Sequence, residues 1–302
     1  MAKADFDEIY TSPDPRRYYS TLSEHDYQIP AHSGAVFGQL ADAFAAGPNS
    51  RVVDLCCSYG VNATVLKHDL EFDEIIRHYC DPPVDDLESA ELLALDQEWY
   101  ATHRRVDPTR VSGVDSSAPA ISYATAAGIL DAGFAEDLEG SDPSPALARE
   151  LRDADLITVS GGIGYITDRT IDRVLRCARS PRLAVLCLRW VDFAPIVDAG
   201  AAHGLVTERL DEATFPQRRF ADTEERLYVQ HELDRLGVGQ KGREEDGYHH
   251  TDLYLLRPEQ EVLARPLDAL IEPAGAIDDA GNRWSKTDEV DVSVFTSGQG
   301  LR

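Results

Sequence analysis

Lysine is the scarcest charged residue of this 302-residue chain, occurring only at Lys3, Lys67, Lys241 and Lys286. Positive charge is short altogether: 29 Lys and Arg face 54 Asp and Glu, a formal net charge of −25. A chain so acidic repels nucleic-acid phosphates and anionic membrane surfaces before contact. Neither is expected as a partner. The preference for Arg over Lys fits a GC-rich genome or life in high salt and identifies no substrate. Long apolar runs are also missing. No segment approaches the roughly 18 residues a membrane span needs, and the opening MAKADFDEIY lacks the apolar core of a secretory signal. A cytoplasmic location is expected. Cysteine is sparse and odd in number, at Cys56, Cys57, Cys80, Cys177 and Cys187, without paired metal-type spacing. Reduced core thiols and no bound metal are expected.

What the chain does have is alternation, in a composition 43% hydrophobic. Residues 52–56 read as a buried strand, "GVNATVLKHDL" as the helix after it, "RVSGVD" as a second strand and "APAISYATAAGIL" as a second helix. "GFAEDL", "DLITVSGGIGY" and "RLAVLCLRW" continue the strands, with "DRTIDRVLRCARS" and "APIVDAGAAHG" as helices. "TDLYLLR" at 251–257 supplies a last strand after a long polar and amphipathic stretch. Strands separated by helix-length connections need crossovers. The class predicted is α/β, a doubly wound, mainly parallel sheet at residues 51–257. Residues 1–50 read as an N-terminal helical lid, 70–108 as a helical insertion, and 258–302 as an extended C-terminal appendage.

In such a sheet, ligands bind at the carboxyl ends of the strands. Three consecutive strand ends carry suitable chemistry. Asp54, Cys56, Ser58, Tyr59 and Gly60 form the turn leading into a helix, whose free N–H groups favour negative charge. Asp115, followed by Ser116, stands where a carboxylate can take two ribose hydroxyls. Asp137 and Leu138 stand where an acid and an apolar side chain can meet an adenine. Together they describe an adenosine site. A dinucleotide site is the competing reading, but it needs G-x-G-x-x-G and an acid about 20 residues later; the loop here is CCSYGVN and Asp115 follows the insertion.

On these residues the chain resembles the class I S-adenosylmethionine-dependent methyltransferases, over about residues 50–210. The family's Asp/Glu-x-Gly-x-Gly-x-Gly loop falls on Asp54, Cys56, Ser58 and Gly60, so only the last glycine is kept. The resemblance implies a Rossmann-like methyltransferase fold, S-adenosyl-L-methionine as cofactor, Asp115 on the ribose, and Asp137 and Leu138 on the adenine. It also implies an active-site strand end at Ser160, Gly161 and Gly162. It makes the chain an enzyme methylating a small molecule. Use of the cofactor's aminocarboxypropyl arm, or cofactor binding without turnover, are the alternatives, and a homodimer is open to it.

Acceptor-side candidates are fewer. Tyr10, Tyr18, Tyr19 and Tyr27 crowd the N-terminal segment, where their hydroxyls suit either an acceptor pocket or simple packing. Tyr19, Tyr27, Tyr165 and His250 are the catalytic candidates, His250 as a general base. Arg189 is expected either to bind an acceptor carboxylate or to pair with an acid. The acidic runs at 84–91, 137–142 and 244–246 read as solvated faces.

Overall fold

The computed structural model describes residues 7–47, 50–211, 213–239, 243–273, 275–278 and 292–295. Its centre is one sheet. Strands β1 (Arg51–Leu55), β2 (Arg110–Asp115), β3 (Ala132–Ala135), β4 (Leu156–Ser160) and β5 (Leu183–Leu188) pair in parallel in the order β3-β2-β1-β4-β5. That order is the one found in doubly wound nucleotide-binding sheets. An antiparallel part extends it: β6 (Leu205–Leu210), β7 (Ala213–Arg219), β8 (Tyr248–Pro258), β9 (Ile277–Asp278) and β10 (Val292–Phe295). β8 lies against β5 and pairs on its other side with β6 through its C-terminal half and β7 through its N-terminal half. β10 pairs with β6, so part of the expected appendage joins the sheet.

The strands form where buried residues alternate between two cores, the period-2 consequence of the pleat. Val52, Leu156, Ala184, Leu186, Leu253 and Leu255 face one core. Val53, Leu55, Ile157, Val159, Val185 and Leu256 face the other. β5 is buried at every position, as a strand covered on both faces must be.

The second core is closed by helices Pro145–Arg152, Asp168–Cys177 and Ala194–Ala202. The first is closed by the N-terminal helices and the insertion. Helix Ile29–Phe44 has a proline in its first turn and sinks Ile29, Val36, Phe37 and Leu40 completely, roughly 1.5–3 kcal/mol for each side chain. The insertion folds as helices Phe72–Cys80, Pro82–Asp85 and Ser89–His103; the first and last begin in capping boxes, Glu71 with Glu74 and Glu88 with Glu91. Buried Asp96 ties it inward, accepting from His78, Tyr79 and Tyr123 at 2.7, 2.6 and 2.7 Å. Lid and insertion therefore share one core with the sheet.

The stretch read as polar, 205–247, holds two strands and the helix Thr223–Leu236. Two features hid the strands. Glu208 in β6 is wholly buried because Arg257 grips it at 2.6 and 3.0 Å, and a buried charge interrupts the apolar pattern. Pro216 sits inside β7 where the register shifts, a residue that argues against a strand in the sequence. No helix among the described residues is long and apolar enough to cross a membrane.

Candidate functional site

A cavity of about 450 Å3 opens at the carboxyl ends of β1, β2, β3 and β4. Its wall begins with the turn after β1. Cys56, Ser58 and Gly60 all lie in the left-handed region, with φ of 56°, 50° and 76°. The chain thus takes a glycine-like path at three alternate residues although two carry side chains, at a cost of roughly 1–2 kcal/mol per residue. The turn is held tightly. Ser58 N–H donates to Asp115 Oδ2 at 2.9 Å, and an added Cβ on Gly162 would come within 2.8 Å of Cys56 Sγ. Ser58 Oγ, buried, has no hydrogen-bond partner among the described residues. A buried hydroxyl without a partner on a cavity-lining turn suits a polar ligand.

Asp115 also accepts from Ser117 N–H at 2.9 Å. A carboxylate has about four acceptor positions, so two backbone bonds leave capacity for a diol. At the end of β3, Glu136, Asp137 and Leu138 line the cavity. Asp137 Oδ1 accepts from the N–H groups of Glu139 and Gly140 at 2.9 and 3.2 Å, fixing the turn that presents buried Leu138. Arg173 holds the Leu138 carbonyl from behind.

Asp54, Tyr59 and Gly60 do not line the cavity; they stand behind it. Asp54 is completely buried, accepting from Asn62 at 3.0 and 3.1 Å and from Thr158 at 2.7 Å, and burial pushes its carboxyl up to about 7. Through it Asn62 is aimed at the wall, where its amide also reaches Ser160 Oγ at 3.0 Å. Tyr59 donates to the carbonyls of Ile9 and Ser12 at 3.1 and 2.8 Å, pinning the N-terminal segment over the site.

No protein-family model matches the chain, and no curated protein matches it. Solved structures do. YcgJ from Bacillus subtilis is 11% identical, covering 75% of this chain and 98% of its own, with a TM-score of 0.45. The plantazolicin methyltransferase BpumL, solved with SAH, is 11% identical over 83% of this chain and 93% of its own, at 0.41. Geranyl diphosphate C-methyltransferase from Streptomyces coelicolor A3(2) is 11% identical over 85% and 89%, at 0.39. Similarity this distant leaves this chain's chemistry to be read from its own strands and side chains.

Of the acceptor-side candidates, Tyr27 and Tyr165 line the cavity, as do Tyr10 and Tyr18. Tyr19 does not. Its ring is buried and stacked on Tyr79 at 4.6 Å, a packing contact of the lid on the insertion. His250 is not at the cavity either. It is buried within β8, with Nδ1 2.9 Å from Thr214 Oγ1 and Nε2 3.0 Å from Asp246 Oδ2. The residues read as a loop before the last strand are part of that strand, so one imidazole nitrogen meets Thr214 of β7 and the other Asp246 in the turn before β8. Arg189 pairs with acids, 2.5 Å from Glu244 and 3.6 Å from Asp252. Glu244 is consequently buried rather than solvated.

Among the residues of the wall that escaped the sequence reading are Asn62 and, in β7, Gln217 and Arg218. Gln217 accepts from Gln28 N–H through its carbonyl at 2.7 Å, and its side-chain amide borders Gly161. Alternation in "ATFPQRR" was the available signal, masked by Pro216. The five cysteines form no disulfide; Cys57 and Cys187 are buried, but Cys80 is exposed. Among the described residues no group of three or more His, Cys, Asp or Glu could hold a metal.

Proposed function

We propose that the protein binds S-adenosylmethionine in this cavity and transfers its methyl group to a small molecule. The observation that carries the reading is the convergence of three strand ends on one cavity: the left-handed turn after β1, the Asp115 carboxylate after β2, and the Asp137-Leu138 turn after β3. A volume of about 450 Å3 lies within the usual range of small-molecule sites, about 300–1,000 Å3. In this reading Asp115 takes the ribose hydroxyls, Leu138 packs against the adenine and Asp137 holds its turn. Ser58 Oγ and the Asn62–Ser160 pair meet the polar amino-acid tail. Gly161 and Gly162 let the ligand approach the end of β4. The bound cofactor supplies an electrophilic methyl group on a sulfonium. The protein's part is to align donor and acceptor, and the tyrosine-lined N-terminal segment excludes water.

Calorimetry with S-adenosylhomocysteine tests the site. Binding is expected in the wild-type protein and at least tenfold weaker in Asp115→Ala, since hydrogen bonds to a charged acceptor are worth about 1.5–3 kcal/mol. No binding to the folded wild type sinks the reading. Turnover with labelled cofactor tests the chemistry: methyl transfer leaves S-adenosylhomocysteine, whereas use of the aminocarboxypropyl arm leaves methylthioadenosine.

A further inference from the structure

Part of the cavity wall is built of hydrogen-bond donors. Tyr10, Tyr18 and Tyr27 bound it from the N-terminal segment, Tyr165 from beyond β4, and Gln217 and Arg218 from β7. Burial pushes the Tyr10 and Tyr18 phenols well above their ordinary range and that of Tyr27 up to about 12. These three keep their protons at neutral pH. Arg218 is a permanent cation. Its charge reaches these phenols and opposes the rise at both Tyr10 and Tyr27, while Asp115 adds to the rise at Tyr10 and Asp54 to that at Tyr27.

Arg218 is an expensive residue to place here. It and Glu225 are 4% and 3% exposed, joined by two bonds of 2.9 and 2.6 Å. Burying such a pair desolvates two charges, and an apolar pair would often stabilise the fold as well or better. Glu225 is drawn to other donors too, accepting from Ala221 N–H at 2.7 Å and lying 3.3 Å from His249 Nε2. A guanidinium fixed in this way beside a cavity, with phenols around it, suits a planar anion. The acids that line the same cavity already hold backbone N–H groups: Asp115 those of Ser58 and Ser117, Glu136 that of Ser144, Asp137 those of Glu139 and Gly140, and Glu139 that of Thr167. Their repulsion of an incoming anion is blunted.

Resting on the S-adenosylmethionine reading of this cavity, we propose that the acceptor is a small carboxylic acid, bound as its carboxylate and converted to a methyl ester. One carboxylate oxygen supplies the electron pair. The O–CH3 bond forms as the C–S bond breaks, the pair of the broken bond stays on sulfur, and the sulfonium becomes a neutral thioether. No proton leaves the acceptor. These donors then have a single task, which is to hold one oxygen while the other faces the methyl group.

Calorimetry on the protein saturated with S-adenosylhomocysteine tests this, using phenylacetate and hexanoate against phenylethanol, hexanol, phenylethylamine and hexylamine. At least one carboxylate should bind tenfold or more tighter than its alcohol and amine. That preference should fall at least fivefold in Tyr27→Phe and vanish in Arg218→Gln. Because Arg218→Gln strands Glu225 and can unfold the protein, the double variant Arg218→Gln/Glu225→Gln, which removes both charges, is measured beside it. Equal binding of the three classes, preference for an alcohol or amine, or no binding of any probe overturns the proposal. Saturation with S-adenosylhomocysteine is the internal control. Failure there overturns the cofactor reading and this proposal together, whereas saturation without carboxylate preference overturns the acceptor class alone.

Discussion

The cavity wall has two parts that differ in what builds them. In the β1–β3 part the backbone dominates: three left-handed residues within five positions, N–H groups seated on Asp115 and Asp137, and a short turn presenting Leu138. In the rest of the wall side chains dominate, Tyr10 from the N-terminal segment, Tyr165 from beyond β4 and Arg218 from β7, where helix Ile29–Phe44 packs against β4 and β7. Backbone geometry is encoded in neighbouring residues and tolerates odd side chains, as Cys56 and Ser58 show. A pocket of side chains depends on how distant segments meet. In the proposed reading the backbone-built turns hold the cofactor and the side-chain wall selects the acceptor.

Four measurements can break or sharpen that contrast. The largest effect should come from Asp54, whose folded carboxyl is held up to about 7 from 3.8 by burial. Between these values the folded state keeps a proton that the unfolded chain has lost, so stability falls as pH rises, by at most about 1.4 kcal/mol per unit. The wild-type unfolding free energy minus that of Asp54→Asn should therefore drop from pH 4 to 7 and level beyond. A flat difference would mean that Asp54 is not buried as the β1 end requires. Next, Gly162→Val should weaken S-adenosylhomocysteine binding roughly 10- to 100-fold, because its side chain meets Cys56 Sγ and Cβ at 2.8 and 2.9 Å and overpacking costs about 1–3 kcal/mol. Unchanged affinity would show a turn that yields easily.

In the side-chain wall, Tyr27→Phe should raise the acceptor KM several-fold, at about 0.5–1.5 kcal/mol for one hydrogen bond, while Tyr19→Phe leaves kcat and KM alone. The reverse result would move the acceptor toward Tyr79 and the insertion. The smallest effect is Cys56→Gly. Removing a left-handed cost of roughly 1–2 kcal/mol is offset by glycine's greater unfolded entropy of about 0.5–1 kcal/mol, so Tm should stay or rise slightly and cofactor affinity hold. Ser58→Gly should match it in Tm yet bind S-adenosylhomocysteine more weakly, having lost the hydroxyl that no group among the described residues satisfies.

The same contrast governed what could be read before the structure. β1, β2, β4 and β5 were legible because a strand buried on both faces is a short, mostly apolar run bounded by helix-length connections, and β3, partly exposed at the sheet's edge, was legible from its place in the alternation. β6 and β7 were not, since Glu208 and Pro216 break such runs and are tolerated only through Arg257 and a register shift. His250 looked like a base before a strand; pairing of β8 with β7 put it inside one.

By itself, then, the sequence determined the strand–helix alternation, the three acidic strand ends and the net charge of −25, because each depends on composition or on residues a few positions apart. Tertiary structure alone decided that Cys56 and Ser58 would adopt glycine's conformation and that Tyr19 would pack while Tyr27 faces the cavity. It also decided that Arg218, clamped by Glu225, would line the same cavity as Tyr10. Those outcomes depend on contacts between segments far apart in the chain, and such contacts form only when burial of the two cores brings the segments together.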